Sequence, residues 1–249
     1  MAVRAYSVAR QTDGASNATV NRELITLKRM LSLAVQADKI PKRPYIPLLK
    51  EQNARRGFFE PAQFERVLAH LPEHARGVAS FAYTTGWRTP SEILPLEWRQ
   101  VDMEAGEVRL DPGTTKTGDG RVFPMTRELR QVLERQQTIA ETLRRERDVI
   151  VRHVFCHAAG DRAGRQVTQN EYWHLWCLAR SAAGCPDRIP HDFRRTAVRN
   201  LVRAGVPERV AMQLNGHKTR AVFERYNITS PNDLRDAALR LDAYSGATA

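Results

Sequence analysis

Hydrophobic residues recur at helical spacing over most of this chain. In the first long pattern they lie three or four positions apart, at Val20, Leu24, Leu27, Leu31 and Val35. This spacing predicts an amphipathic helix with Ser16 or Thr19 as its N-cap. The segment that follows, 41–57, contains three prolines and has poor periodicity, so it predicts a linker. We therefore expect two domains, a partial helical domain with its linker over 1–56 and a larger domain over 57–249.

The larger domain shows one change of period. Glu60-Pro61 is a typical helix start, and a second, mostly apolar helix is predicted to end near Gly86. Between 98 and 126, β-prone runs separated by Ala-Gly, Pro-Gly and Gly-Asp-Gly predict a small antiparallel sheet. Helical spacing then returns at Thr126–Glu146, Asn170–Ala183, His191–Ala204 and Pro207–Leu214, with Gly205 and Gly216 as C-caps and a last helix from Ser230-Pro231. The expected fold is mainly α with a small antiparallel β-sheet (α+β).

Composition excludes several classes of protein. With 42% hydrophobic and 27% charged residues among 249, the chain is neither disordered nor membrane-embedded, and it has no apolar run of about 18 residues. The N-terminus lacks the apolar region of a secretory signal. Cys156, Cys177 and Cys185 are too few and too scattered for a disulfide framework. We expect a soluble protein of the reducing cytoplasm, without membrane association.

The net charge of +11 is concentrated at the two ends. Residues 1–56 carry 11 basic and 4 acidic side chains, residues 187–249 carry 11 and 7, and the residues between them carry 17 of each. Such ends fit a solvated surface and a nucleic-acid-binding surface about equally well. The candidate contacts to a DNA backbone lie on the first long helix and in the linker, at Arg22, Lys28, Arg29, Arg55 and Arg56.

Several junctions between the predicted elements carry side chains that could bind an anion. Arg88 follows a buried-looking helix, and taken alone it is best explained by an ion pair with Glu92. Lys116 lies at a hairpin shoulder, where a lysine is usually solvated. His191 and Arg194 are three positions apart at a helix N-terminus, so they could bind one phosphate or act as a cap and a surface arginine.

The stretch "NGHKTRAVFERY" adds two further candidates. His217 follows a glycine that ends a helix, and Tyr226 comes nine residues later, about two turns into the next predicted helix. Both could be ordinary packing residues. If the six candidates did not form a site, each would need its own structural explanation, and all six explanations would have to hold together. A shared site is therefore the better interpretation.

In combination, "TGWR", "TTKTGDGRVFPM", "HDFRR", "LNGH" and the tyrosine resemble the catalytic domain of the tyrosine recombinases, also called phage integrases. The resemblance covers about residues 55–245, and the N-terminal part looks like the end of the family's core-binding domain. Glu92 follows Arg88 by four positions, whereas many members have three. The first domain has one clear long helix where the family usually has about four.

The resemblance implies cleavage of one DNA strand by Tyr226, which becomes joined to the 3′-phosphate. Arg88 and Arg194 would stabilise the charge on the phosphate, so no metal, ATP or other cofactor is expected. A phenol is protonated near neutral pH, and His191 is placed to accept its proton, while His217 donates a further hydrogen bond. Lys116 is the candidate acid for the departing 5′-hydroxyl. The implied partners are double-stranded DNA and three further copies of the chain, in a homotetramer on paired recombination sites.

Some alternatives stay open. A type IB topoisomerase shares this chemistry without strand exchange, and a noncatalytic DNA-binding regulator would share the basic ends. A metal-dependent nuclease is disfavoured because the sequence lacks clustered carboxylates and Cys/His ligand spacing. The last predicted helix could dock on its own domain or on a neighbour through Leu234, Ala237, Ala238 and Leu241. Between a mobile-element integrase and a chromosome-dimer resolvase, we favour the first.

Overall fold

The computed structural model describes residues 2–51, 57–115, 118–226, 234–235, 237–239 and 241–242. Three of the predicted site residues, Arg55, Arg56 and Lys116, lie outside these residues. The chain forms two compact units, Met1–Arg56 and Gly57–Ala249. The helices and the small antiparallel sheet of the described residues confirm the predicted α+β fold class.

The first unit contains two helices, α1 (Ala2–Thr12) and α2 (Asn17–Gln36). Ser16 is the N-cap of α2, because its Oγ accepts a hydrogen bond from the backbone N–H of Thr19 at 3.2 Å. Helix α1 was not predicted. Its buried residue is Ser7, whereas the large Tyr6 and Val8 are exposed, so an apolar stripe is missing from its sequence.

The segment after α2 is irregular, as predicted, but it is not a free linker over its whole length. Ile46 is buried against Val20 and Leu24 of α2. The Asn21 side chain donates to the Leu49 carbonyl and accepts from the Leu49 N–H, both at 2.8 Å. The amide side chain thereby satisfies both backbone hydrogen-bonding groups of Leu49, as a neighbouring β-strand would. These two hydrogen bonds fix the segment along the helix.

The second unit is built from seven described helices and one described sheet. The helices are α3 (Pro61–His70), α4 (Glu73–Thr85), α5 (Arg127–Arg147), α6 (Gln169–Ala182), α7 (Asp192–Arg203), α8 (Glu208–Asn215) and α9 (Arg220–Glu224). The positions predicted for α3 to α8 are confirmed to within one or two residues. The predicted last helix begins outside the described residues, and where it is described, Leu234 and Leu241 are exposed.

The sheet is an antiparallel meander of β1 (Val101–Asp102), β2 (Glu107–Leu110) and β3 (Arg121–Pro124). The register of β2 and β3 pairs Val108 with Phe123 and Leu110 with Arg121. These four side chains are buried, while the alternate residues Arg109 and Val122 face outwards. Strand alternation therefore directs an arginine into the protein interior.

Two apolar clusters hold the second unit together. The main core surrounds α4, which packs against α5 and α7, and its aromatic residues include Phe59, Phe64, Trp87, Trp176 and Phe193. A smaller cluster of Val198, Ala211 and Phe223 fixes the short helix α9 against α7 and α8. The end of α4, the start of α7 and the turn that follows α9 are thus held by packing that is independent of any ligand.

Candidate active site

The end of α4 positions the first group of the site. Gly86 caps this helix with a left-handed backbone (φ 64°), and its carbonyl accepts a hydrogen bond from Arg194 Nη1 at 3.0 Å. A Cβ at Gly86 would collide with the Asn215 Oδ1. Glycine is therefore required here both by conformation and by the close approach of the α8 terminus.

A π-helical turn at Thr89–Ile93 brings Glu92 to Arg88. Its hydrogen bonds span five residues, from the Ile93 N–H to the Arg88 carbonyl at 3.2 Å and from the Leu94 N–H to the Thr89 carbonyl at 2.9 Å. Glu92 Oε1 lies 2.6 Å from Arg88 Nη1, and Oε2 accepts the Arg88 backbone N–H at 2.8 Å. The wide turn accommodates the additional residue between them, so the ion pair expected from sequence is present.

Arg194 is 2% exposed and is held by three acceptors. Its Nε donates to His217 Nε2 at 3.1 Å, its Nη1 to the Gly86 carbonyl, and its Nη2 to the Asn215 carbonyl at 2.5 Å. Burial, together with the charge of Arg88, lowers the pKa of Arg194 to about 10. The guanidinium is therefore charged at neutral pH and fixed in orientation.

The contact with Arg194 determines the protonation of His217. An arginine Nε–H can only donate, so His217 Nε2 is an acceptor and the imidazole proton is on Nδ1. This Nδ1 is buried and has no hydrogen-bond partner among the described residues. Burial, with Arg194 and Arg88 nearby, lowers the pKa of His217 to about 3, so the ring is neutral.

Tyr226 and His191 lie within hydrogen-bond reach of each other. His191 is the N-cap residue of α7, and its Nε2 is 3.2 Å from the Tyr226 hydroxyl. The tyrosine ring stacks on His217 with centroids 4.9 Å apart, and the Arg195 guanidinium lies 5.4 Å from its centroid. Desolvation by neighbouring protein atoms and the charges of Arg194 and Arg195 lower the pKa of His191 below its ordinary value.

The prediction that Tyr226 lies within a helix was wrong. Helix α9 ends at Glu224, and Tyr226 occupies the turn directly after it, with its N–H bonded to the Phe223 carbonyl at 2.8 Å. The reason is the short length of α9, which is fixed by Phe223 in the smaller apolar cluster rather than by an extended apolar stripe. The ring of Tyr226 packs at the edge of that cluster.

Sequence reasoning missed Arg121, the first residue of β3. Its Nη2 is 2.5 Å from Glu92 Oε1, its Nη1 donates to the Asn215 carbonyl at 3.0 Å, and its guanidinium lies 5.2 Å from the centroid of the Trp87 ring. The signal was available, because Arg121 shares a strand face with Phe123, two residues later, and that face is apolar.

Five of the six predicted catalytic residues therefore come together, namely Arg88, His191, Arg194, His217 and Tyr226. A cavity of about 490 Å³ is lined by Arg88, His191 and Arg194, with Trp87 and Trp173 among its apolar walls. Lys116 lies outside the described residues. Its hairpin is linked to the loop after α8 by an ion pair between Asp119 and Lys218 at 2.9 Å.

The predicted DNA-contact residues of α2 do not share one face. Arg22 and Arg29 are seven positions apart, close to two turns, and both are exposed. Their guanidinium groups make no hydrogen bond or ion pair with described residues. Lys28 is half-buried and points about 100° away from them.

The chain is similar to proteins of one family. The model of the phage integrase family matches residues 58–232, which is more than half of the chain. The integrase of Salmonella phage P22 is 26% identical over 238 residues, 94% of this chain and 60% of that protein. The tyrosine recombinase XerD of Mycobacterium leprae is 28% identical over 170 residues, 65% of this chain and 50% of that protein. The chain thus corresponds to 50–60% of the length of these two relatives.

Solved structures share the fold. The Tn1549 transposon integrase in complex with circular intermediate DNA has a TM-score of 0.70 at 19% identity, over 95% of this chain and 83% of that one. A lambda integrase dimer bound to a COC′ core site has a TM-score of 0.73 at 16% identity, over 91% and 78%. None of the helices in the described part of this chain combines the length and apolar composition needed to cross a bilayer. By its family match, this chain belongs to the phage integrase family.

Proposed function

We propose that this protein is a site-specific DNA recombinase that cleaves and rejoins strands through a 3′-phosphotyrosine intermediate. The observation that carries the proposal is the 3.2 Å separation between His191 Nε2 and the Tyr226 hydroxyl, beside Arg88 and Arg194. A nucleophile within reach of a base, next to fixed cations, is the arrangement that phosphodiester transesterification requires.

His191 acts as the general base and Tyr226 as the nucleophile. The lowered pKa of His191 keeps its ring neutral at physiological pH, so Nε2 can accept the phenolic proton. The phenolate oxygen then attacks the phosphorus, the bond to the 5′-oxygen breaks, and a phosphotyrosyl ester forms. Because that ester retains the energy of the original linkage, attack by another 5′-hydroxyl rejoins the strand without ATP.

Arg88 and Arg194 stabilise the charge that develops on the nonbridging oxygens. Arg194 uses three of its five N–H groups on protein acceptors, which leaves one on each terminal nitrogen for the phosphate. Arg88 bonds to Glu92 through Nη1 and retains its other donors. Donors fixed before the substrate binds need no reorganisation during the reaction, so their effect on the transition state is large.

His217 orients the two central groups of the site, since it accepts from Arg194 and stacks on Tyr226. Its Nδ1–H is the donor that remains for a substrate oxygen. Lys116 protonates the departing 5′-oxygen from the hairpin between β2 and β3. Both roles follow the family resemblance and the position of these residues in the sequence.

Double-stranded DNA is the substrate, and recombination of two duplexes uses four copies of the chain. The similar fold of a lambda integrase tetramer bound to a Holliday junction supports this assembly (TM-score 0.72, 16% identity). Residues 57–249 form the catalytic domain, and residues 1–56 form part of a core-binding domain that contacts DNA through Arg22, Lys28, Arg29, Arg55 and Arg56. The similarity to a phage integrase supports a mobile-element role over a chromosome-dimer resolvase.

Covalent trapping tests the proposal. Plasmids carrying fragments of the DNA that flanks the gene are incubated with the protein, and the reaction is stopped with SDS. Sequencing of the plasmids that retain covalently attached protein locates the cleavage site. A nicked duplex containing that site is then used as a substrate on which the covalent adduct accumulates. We expect a 3′-linked adduct with the wild type and none with Tyr226→Phe, which removes only the attacking oxygen and leaves DNA affinity unchanged.

The alternatives give different outcomes. A topoisomerase would relax supercoiled plasmid without exchanging strands between two duplexes, and a noncatalytic regulator would bind DNA without forming an adduct. An adduct that persists in Tyr226→Phe would show that another residue is the nucleophile.

A further inference from the structure

A third arginine, Arg121, is connected to both of the arginines that the proposed function places on the phosphate. We infer that Arg121 is a positioning residue, whose single guanidinium holds the acceptor groups of Arg88 and Arg194 in place. This inference rests on the proposed function, because it concerns the same reaction. Arg121 does not line the cavity between Arg88, His191 and Arg194, so it acts through its neighbours.

Each end of the Arg121 guanidinium contacts an oxygen that one of the other arginines also contacts: an ion pair with Glu92 at one end and a hydrogen bond to the Asn215 carbonyl at the other. Glu92 Oε1 lies 2.5 Å from Arg121 Nη2 and 2.6 Å from Arg88 Nη1. The Asn215 carbonyl accepts from Arg121 Nη1 at 3.0 Å and from Arg194 Nη2 at 2.5 Å. The distance between the two acceptors is therefore set by one rigid, planar group, and with it the spacing of Arg88 and Arg194.

The fold is built to admit this side chain. Arg121 lies opposite Leu110 on the inner face of the hairpin, and its side chain is 5% exposed. Its guanidinium packs over Trp87, the residue immediately before Arg88. Gly216 has a left-handed backbone (φ 68°), and a Cβ at that position would collide with Arg121 Nη1.

Arg121 also offsets the negative charge that Glu92 brings to the site. Glu92 is fully buried, and without a second cation its carboxylate would cancel the charge of Arg88. With Arg121 present, three guanidinium groups face one carboxylate, and the neutral His217 adds no charge. The cluster keeps an excess of positive charge for the phosphate, whose negative charge increases in the transition state.

Arg199 provides a matched control for substitution of Arg121. It is a buried arginine of α7 whose Nη1 pairs with Glu60 at 2.8 Å and whose Nη2 donates to the Phe59 carbonyl at 2.7 Å. Its side chain is 4% exposed, and it packs over an aromatic ring, that of Phe58. Arg121→Met and Arg199→Met therefore remove the same kind of contacts, at the site and away from it.

The experiment compares both variants on two nicked duplexes, one with a normal scissile phosphodiester and one with a methylphosphonate there. Replacing a nonbridging oxygen by methyl removes the negative charge that Arg88 and Arg194 stabilise. DNA affinity and the folded fraction are measured separately, by titration and by circular dichroism. The rate of adduct formation is then expressed per folded, bound protein.

We expect Arg121→Met to form the adduct about 10- to 100-fold more slowly than wild type on the phosphodiester, with unchanged DNA affinity. On the methylphosphonate the difference should shrink to a few-fold, because correct placement of the arginines matters less there. Arg199→Met should show normal rates on both substrates once corrected for folding.

Two results would overturn the inference. One is a rate for Arg121→Met equal to that of Arg199→Met on the phosphodiester. The other is an equally large defect on both substrates, which would make Arg121 a residue of the fold alone. If Arg121→Met fails to fold, Arg121→Lys replaces it in the same comparison, since an ammonium retains the charge but cannot span both acceptors. Absence of an adduct with the wild type would instead contradict the proposed function.

Discussion

His191 is placed between two arginines and the hydroxyl of Tyr226, and this position determines how the site responds to pH. Desolvation by the neighbouring protein atoms, together with the charges of Arg194 and Arg195, disfavours the protonated ring, so its pKa lies below the ordinary value of about 6.5. The base form is therefore retained at neutral pH. It disappears only when the pH falls below that lowered pKa.

Replacing His191 with Gln tests this assignment. Glutamine can accept a hydrogen bond from Tyr226 but cannot take its proton, so adduct formation should slow by about 100-fold or more. The wild-type rate should fall on the acid side, below about pH 6.5, and this limb should be absent from the variant. Single-turnover rates between pH 5 and 8 provide the measurement, and an unchanged acid limb in His191→Gln would assign it to another group.

His217 gives a second pH effect, on stability. Its pKa is about 3 in the folded protein, whereas the unfolded chain has the ordinary value of about 6.5, so the unfolded state binds a proton first as the pH falls. The contribution of His217 to the free energy of unfolding is fully present above pH 6.5. As the pH falls from 6.5 to 3, this contribution decreases by at most about 1.4 kcal/mol per pH unit.

His217→Gln should remove this dependence. Urea unfolding of both proteins at pH 7, 5 and 4 gives the free-energy difference between them, in which the contributions of shared carboxylates cancel. The wild type should lose its advantage progressively as the pH decreases. A difference that stays constant with pH would contradict the neutral, buried state of the ring.

At the scale of elements, the β2–β3 hairpin links the sheet to the active site. Its inner face contributes Arg121, and the Asp119–Lys218 ion pair joins it to the loop after α8. That ion pair is about half exposed, so it adds little stability. Arg121 is the stronger connection, and it lies five positions after Lys116, the proposed general acid.

The substitution Lys116→Ala tests whether this hairpin supplies the proton for the departing 5′-oxygen. Without the acid, cleavage of a normal phosphodiester should slow by about 100-fold or more. In a substrate with sulfur at the bridging 5′ position, the leaving strand end departs as a thiolate, which needs no protonation. The variant and the wild type should then react at similar rates. An equal defect on both substrates would make Lys116 a phosphate-positioning residue.

Sequence patterns predicted the elements of the second unit well but only part of the site. Apolar spacing located α3 to α8 because each buries one face, and the reactive side chains lie at their ends. The spacing did not locate α1, since its buried residue is the polar Ser7 and its large apolar residues Tyr6 and Val8 are exposed. The π-helical turn at Thr89–Ile93 gives no periodic signal, and Arg194 is held by two main-chain carbonyls, which no pattern of side chains can indicate.

At the scale of the whole molecule, charge is distributed unevenly between the parts of the chain. The first 56 residues carry 11 basic and 4 acidic side chains, and on α2 Arg22 and Arg29 are exposed on one face. Removing one cation that binds a phosphate lowers the slope of log affinity against log salt by about 0.9. Long-range attraction to DNA should therefore depend on this unit.

Substituting Arg22 and Arg29 by alanine together should reduce that slope by about 1.8 if each binds one phosphate. Arg144→Ala with Arg145→Ala is the matched control, because it removes two exposed arginines from the end of α5 and changes the net charge equally. Binding titrations from about 50 to 200 mM salt supply the slopes. The same slope in both double variants would show that α2 does not contact DNA.

The acceptors that hold Arg194 have a consequence for how this site can be studied. Two of the three are the carbonyls of Gly86 and Asn215, which every amino acid supplies. Alanine scanning and codon randomisation leave these groups unchanged, so mutational maps of this protein will under-represent the region that orients its central cation. Chemical synthesis can address it, because a glycolic acid residue at position 216 replaces the amide after Asn215 by an ester, whose carbonyl is a weaker acceptor.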